Sequence, residues 1–159
     1  MHFSIGAFFC VKMLFMKYKT GSLDETQSVA LDFISKIKKT ENDATVVGLY
    51  GDLGAGKTSF TQGLAKYLGI KENVVSPTFV IEKIYHLENN IFKHLIHIDA
   101  YRIEKSQELL SLGFKKIISD PENLIVIEWP ERISDIMPEH IRIDLRHISE
   151  NNREIEISK

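Results

Sequence analysis

The sequence GDLGAGKT, from Gly51 to Thr58, matches the pattern GxxxxGK[ST] in full. It lies between a short apolar run, Thr45 to Tyr50, and a segment of helical character that begins near Lys57. Glycines in such a loop let backbone N–H groups converge on phosphate oxygens, and the N-terminus of the following helix adds positive potential. The pattern therefore predicts a phosphate-binding loop for a nucleotide.

Two side chains of this loop have predicted roles. Lys57 is expected to reach the β- and γ-phosphates, and the hydroxyl of Thr58 is expected to hold Mg²⁺. ATP and Mg²⁺ are therefore the predicted cofactors. The loop and the first turn of the helix supply these predicted nucleotide-binding residues: Gly51, Asp52, Leu53, Gly54, Ala55, Gly56, Lys57, Thr58 and Ser59.

A phosphate-binding loop also needs a carboxylate at the end of a neighbouring strand, which holds Mg²⁺, usually through water. Two carboxylates follow apolar runs: Asp99 ends HLIHI and Glu128 ends LIVI. Either one alone could instead be a loop carboxylate that pairs with a basic neighbour such as Arg102. The residues alone leave open which of the two serves the metal.

The apolar pattern predicts three helices and two buried strands, at 23–38, 57–69, 106–112, 45–50 and 124–129. VVSPTF is predicted to be a strand end followed by a loop. Two alternating segments around 79–98 and two around 141–157 predict antiparallel hairpins. Together these elements predict an α/β fold, a three-layer mixed sheet of the P-loop NTPase type with antiparallel hairpin extensions.

Composition limits the class of protein. The 159 residues suffice for one domain, predicted at 16–159. Residues 1–15 are apolar, lack a basic start and fall short of the ~20 residues that span a bilayer, so they are treated as an extension of doubtful status. A single cysteine fits a reducing, cytoplasmic setting, and the net charge of -2 is poor for direct RNA binding. The six histidines are assigned no chemistry.

Four blocks in order resemble the TsaE family: GDLGAGKT, then SPTF at 76–79, HIDAYR at 97–102 and EWPER at 128–132. Their spacing covers most of residues 22–157. The resemblance implies a P-loop ATPase that works with the TsaD and TsaB proteins while threonylcarbamoyl is transferred to adenosine in tRNA, with tRNA contacted only indirectly.

The resemblance also implies roles for individual residues. Thr58 and Glu128 would be the Mg²⁺ ligands, and Asp99 a carboxylate needed for hydrolysis. Residues 76–79 would form a switch-like loop in which Thr78 senses the γ-phosphate or orients water, although SPTF alone would fit an ordinary turn. The remaining matched positions are Trp129 and Glu131 beside the nucleotide, and Glu25, Asn152 and Arg153 towards its nucleoside end. For Trp129, simple core packing is an equal alternative.

Three other functions compete with this interpretation. A small-molecule P-loop kinase is the main alternative, but such enzymes generally clamp the phosphoryl group with an arginine-rich lid, and no segment here is dense in arginine. A GTPase is disfavoured because the sequence has no NKxD motif. A nucleotide-binding module without turnover also remains, and the catalytic competence of Asp99 would distinguish it.

Overall fold

The structure is a computed structural model that describes residues 15–159. Its sheet has seven strands in the order β1-β7-β6-β2-β5-β4-β3. Along the chain the elements are β1 (Phe15–Thr20), α1 (Leu23–Lys36), β2 (Thr45–Tyr50), α2 (Lys57–Tyr67), β3 (Glu82–His86), β4 (His94–Asp99), α3 (Ser106–Ser111), α4 (Phe114–Ile118), β5 (Asn123–Glu128), a short 3-10 helix (Pro130–Ile133), β6 (Ile141–His147) and β7 (Arg153–Ser158).

The four central strands, β6, β2, β5 and β4, run parallel, and the outer strands are antiparallel to their neighbours. Because parallel strands end at the same edge of a sheet, the residues after β2, β4 and β5 meet there. Asp99 and Glu128 are direct register partners at this edge. The phosphate-binding loop leaves β2 at the same edge, so the topology brings the loop and both carboxylates together.

Helices cover the sheet on both faces. The cluster on one face includes Phe33 of α1 and Phe60 of α2, whose ring centroids are 5.9 Å apart. The cluster on the other face packs Leu109 of α3 and Phe114 of α4 against the central strands. This confirms the predicted three-layer α/β fold. No helix within residues 15–159 is long and apolar enough to cross a membrane.

The predicted helices and strands are confirmed with end shifts of a few residues. Both hairpins are present, as β3–β4 and β6–β7. The strand end predicted in VVSPTF is wrong, because Val74 and Val75 lie in a loop, where the Gln62 side chain donates to the Val74 carbonyl at 2.9 Å. Pro77, two residues after Val75, has no backbone N–H to donate to a neighbouring strand, which also disfavours a strand here.

Three elements were not predicted: the short 3-10 helix, α4 and β1. α4 is only five residues long, too short to show a period of its own. β1 pairs with β7 along its whole length, from Phe15 opposite Ser158 to Thr20 opposite Arg153. The predicted extension at 1–15 lies outside the described residues except for Phe15, which is the first residue of this edge strand.

Candidate functional site

A cleft of approximately 520 Å³ opens at the edge where the parallel strands end. Its floor is the phosphate-binding loop, and its walls come from the ends of β4 and β5, the start of α1 and the β6–β7 turn. Eleven of the sequence-predicted site residues line it: Leu53, Gly54, Gly56, Lys57, Thr58, Ser59, Thr78, Asp99, Glu128, Trp129 and Arg153. A cleft of this size suits a nucleotide-sized ligand.

The other predicted site residues lie around this cleft without lining it. Gly51, Asp52 and Ala55 belong to the loop itself. Gly51 is required by space, since a Cβ there would lie 2.3 Å from the Leu145 carbonyl oxygen at a φ of +145°. Glu131 is exposed on the 3-10 helix.

Lys57 is folded back onto its own loop. Its ammonium donates to the carbonyl of Gly51 and, at 2.9 Å, to that of Asp52, and the residue is only 5% exposed. Burial lowers the pKa of Lys57 from its ordinary value, and the carboxylates of Glu128 and Glu131 oppose that shift. A buried ammonium beside orphan N–H groups makes a strong anion site.

Trp129 covers Lys57. The ammonium lies 3.9 Å from the centre of the indole ring, a cation–π contact, and Tyr101 packs on the ring with centroids 5.0 Å apart. Trp129 has φ of 59°, in the left-handed region, which is unusual for a bulky residue. Trp129 both packs against the core cluster on its side of the sheet and lines the cleft.

Glu128 meets Thr58 directly. The Thr58 hydroxyl lies 3.1 Å from Oε1 and 3.3 Å from Oε2 of Glu128, which is 2% exposed at the end of β5. Mg²⁺ beside a nucleotide is held by one or two carboxylates, with phosphates and waters completing its octahedron. A threonine hydroxyl next to a buried carboxylate fits that donor set.

Asp99 faces a different group. Its Oδ2 accepts hydrogen bonds from the hydroxyls of Ser76 and, at 2.8 Å, Thr78, while Oδ1 accepts from the Tyr101 backbone N–H at 2.9 Å. The two strand-end carboxylates therefore contact different groups in this structure. Glu128 touches Thr58, the residue expected to bind metal, and Asp99 holds the 76–79 loop. Phe79, at the end of that loop, is 85% exposed.

The far end of the cleft is formed by α1 and the β6–β7 turn. Of the residues predicted there, only Arg153 lines it, and its Nη1 donates to the Ser149 carbonyl at 3.0 Å. The carboxylate of Glu25 instead accepts from the backbone N–H of Gly21 at 2.6 Å, and the Glu25 backbone N–H donates to the hydroxyl of Ser22, which caps α1. The side chain of Asn152 donates to the Ser149 hydroxyl at 2.6 Å within the turn.

Several lining residues were not predicted: Ser22, Leu23, Thr26, Tyr101, Glu150 and Asn151. Tyr101 belongs to HIDAYR, so its closeness to Asp99 was a usable signal. Ser22, Leu23 and Thr26 lie at least 25 residues before the phosphate-binding loop in sequence, whereas Glu150 and Asn151 directly precede the predicted residues Asn152 and Arg153.

His97, a histidine to which no chemistry was assigned, lies beside Glu128. Its Nε2 lies 2.8 Å from Oε1 of Glu128, and both side chains are buried. The available signal was spacing, because residues two apart on a strand share a face and His97 precedes Asp99 by two.

Filling this cleft should change the fluorescence of Trp129. It is the only tryptophan, and its ring contacts the lysine expected to receive phosphates. We expect the emission, excited at the red edge where ADP does not absorb, to change saturably as ADP is added. A Lys57→Ala protein is the control for non-specific effects. An unchanged spectrum at saturating ADP would mean that Trp129 only packs the core.

Comparison with known proteins assigns this chain to a family. The family model described as threonylcarbamoyl adenosine biosynthesis protein TsaE matches residues 20–155. The protein of that name from Rickettsia typhi is 38% identical over 142 residues, 87% of this chain and 92% of its own. That of Bacillus subtilis is 36% identical over 141 residues, 88% of this chain and 83% of its own.

A solved structure has the same fold. The crystal structure of YdiB from Bacillus subtilis superposes with a TM-score of 0.71 at 30% identity, covering 90% of this chain and 84% of YdiB. The family-model match at residues 20–155 includes the phosphate-binding loop, both strand-end carboxylates and the start of β7. This chain belongs to the TsaE family.

Proposed function

We propose that this chain is a Mg²⁺-dependent ATPase required for threonylcarbamoyladenosine modification of tRNA, acting with the TsaD and TsaB proteins in the cytoplasm. The observation that carries the proposal is the contact between Thr58 and Glu128 beside the buried Lys57. A lysine for phosphates and a hydroxyl–carboxylate pair for the metal are the parts that P-loop NTPases require. The names of the relatives supply the pathway.

In the proposed site Lys57 binds the β- and γ-phosphates. Phosphate oxygens would replace the carbonyls of Gly51 and Asp52 as its acceptors, and exchanging neutral acceptors for anionic ones strengthens the hydrogen bonds. Thr58 and Glu128 would hold Mg²⁺, which neutralises charge on the transferring phosphoryl group. The chain's own contribution is to fix these groups before the nucleotide arrives.

Asp99 and Thr78 are proposed to serve hydrolysis. Thr78 lies on a loop that lines the cleft, and its hydroxyl is held by a carboxylate that is 3% exposed. A hydroxyl and a carboxylate at this position are suited to orienting the attacking water. Because Asp99 also binds Ser76, the same carboxylate controls the position of the whole loop.

The site lacks an arginine at its phosphate end within residues 15–159. Arg153 lines the cleft at the opposite end. Arg102 lies over the Phe79 ring at 4.4 Å and Arg132 over the Tyr101 ring at 5.9 Å. Phosphoryl transfer is commonly accelerated by an arginine that a partner supplies. We therefore propose slow hydrolysis by the isolated chain, with TsaD and TsaB completing the site and contacting tRNA themselves.

A pull-down tests the proposed role. The tagged chain is mixed with TsaD and TsaB from its own species, with ATP and Mg²⁺, and bound proteins are identified. Capture of both proteins is expected. If neither is captured while the chain binds ATP normally, the small-molecule kinase becomes the better interpretation. A Lys57→Ala protein in parallel tests whether capture depends on nucleotide.

A further inference from the structure

His97 contacts the proposed metal carboxylate from inside the protein. Its ring is fully buried on β4, and Nε2 lies 2.8 Å from Oε1 of Glu128 on the neighbouring strand β5. A carboxylate only accepts hydrogen bonds, so Nε2 carries the proton and donates. The imidazole therefore approaches Glu128 from the protein interior, while the carboxylate itself lines the cleft.

Glu128 has two side-chain partners that fix its rotamer. One is the Thr58 hydroxyl, which both carboxylate oxygens can accept from, and the other is His97. If Thr58 becomes a metal ligand, its oxygen turns to the ion. His97 is then the contact that still orients the carboxylate without binding the metal. Partners of this kind, behind a ligand, are known to tune metal affinity.

Packing alone gives a poor account of a histidine here. Nδ1 of His97 is buried without a hydrogen-bond partner among the described residues. An unpaired buried polar atom is costly, and an apolar side chain of similar size would avoid the cost. The imidazole thus leaves Nδ1 without a partner among the described residues, while its Nε2 makes the hydrogen bond to Glu128.

We propose that His97 is a positioning residue: its Nε2–H holds the Glu128 carboxylate in the orientation that receives Mg²⁺ beside Thr58. The proposal rests on the proposed function, since it assumes that Glu128 is a metal ligand. It adds a residue whose role is to set the affinity for the ion and not to touch the nucleotide.

The test measures Mg²⁺ affinity apart from turnover. Calorimetry gives the affinity for a non-hydrolysable ATP analogue at increasing free Mg²⁺, and the midpoint of that dependence is compared between variants. His97→Gln can place an amide N–H near the position of Nε2, whereas His97→Asn places its amide near Nδ1, out of reach of Glu128. His94→Asn is the matched control, because His94 lies on the same strand but bonds Asn123 at the opposite end.

We expect His97→Asn to raise the Mg²⁺ midpoint by about 10- to 100-fold, with His97→Gln raising it much less. Affinity for the analogue in EDTA should stay within about twofold of the wild type, and His94→Asn should leave the midpoint unchanged. Should His97→Asn fail to fold, His97→Leu takes its place as the variant without a donor.

Equal Mg²⁺ midpoints for His97→Asn and His97→Gln would overturn the proposal. If His97 were purely structural, both variants would lower the melting temperature, but their Mg²⁺ midpoints would not differ from each other. A wild-type protein whose analogue affinity ignores Mg²⁺ altogether would overturn the proposed metal site itself. These two results differ, so a wrong proposal for His97 can be distinguished from a wrong proposed function.

Discussion

Lys57→Ala is expected to weaken ATP binding by roughly 100-fold or more, because it truncates the buried cation that is proposed to meet the phosphates. Within residues 15–159, Lys57 is the only lysine or arginine that lines the phosphate end of the cleft. Its contacts are already in place: it lies against Trp129 and the loop carbonyls. Calorimetric titration with ATP gives the measurement.

The control for Lys57→Ala is Lys66→Ala, an exposed lysine near the other end of α2. That change should leave ATP affinity unaltered, since surface substitutions away from such features have small effects. Melting curves of both variants exclude unfolding as the cause. An affinity of Lys57→Ala within a factor of two of the wild type would refute the assignment of the phosphate-binding loop.

Glu128→Ala is expected to separate binding from turnover. Lys57 and the loop N–H groups remain, so much of the nucleotide affinity should persist. The Mg²⁺-dependent release of phosphate should fall by about 100-fold or more, because the carboxylate that is proposed to hold the ion beside Thr58 is gone. The measurement is steady-state phosphate release at saturating ATP and Mg²⁺.

Glu122→Ala serves as the control for Glu128→Ala, because Glu122 directly precedes β5 at the other end of that strand and pairs with Lys39. Its loss should not alter turnover. If Glu128→Ala keeps full Mg²⁺-dependent activity, the metal role passes to Asp99, the carboxylate beside it in the sheet.

The phosphate-binding loop could be predicted because its determinants are local. Eight consecutive residues carry the glycines, the lysine and the threonine, and the apolar run before them sets the strand. The hairpins were predictable for the same reason, since a period of two and a polar turn lie within 20 residues. Local signals of this kind depend little on the rest of the fold.

The different contacts of the two strand-end carboxylates could not be predicted from spacing. Asp99 and Glu128 both end apolar strands, and before the structure only the resemblance to the TsaE family separated them. The structure sets Glu128 against Thr58 and Asp99 against Thr78. His97 and the start of α1 were missed because their contacts depend on strand register and on β1, which pairs with the last strand of the chain. Such contacts join residues that lie far apart in sequence.

The most direct test of the account is phosphate release from ATP by the purified chain, with Mg²⁺ or with EDTA, alone and with the TsaD and TsaB of its own species. We predict slow Mg²⁺-dependent release by the chain alone and a clearly faster rate with TsaD and TsaB, since these proteins are proposed to supply charge or to order the 76–79 loop. Release that never exceeds that of Lys57→Ala, in either condition and with partner binding verified, would contradict the claim that this cleft is an ATPase site.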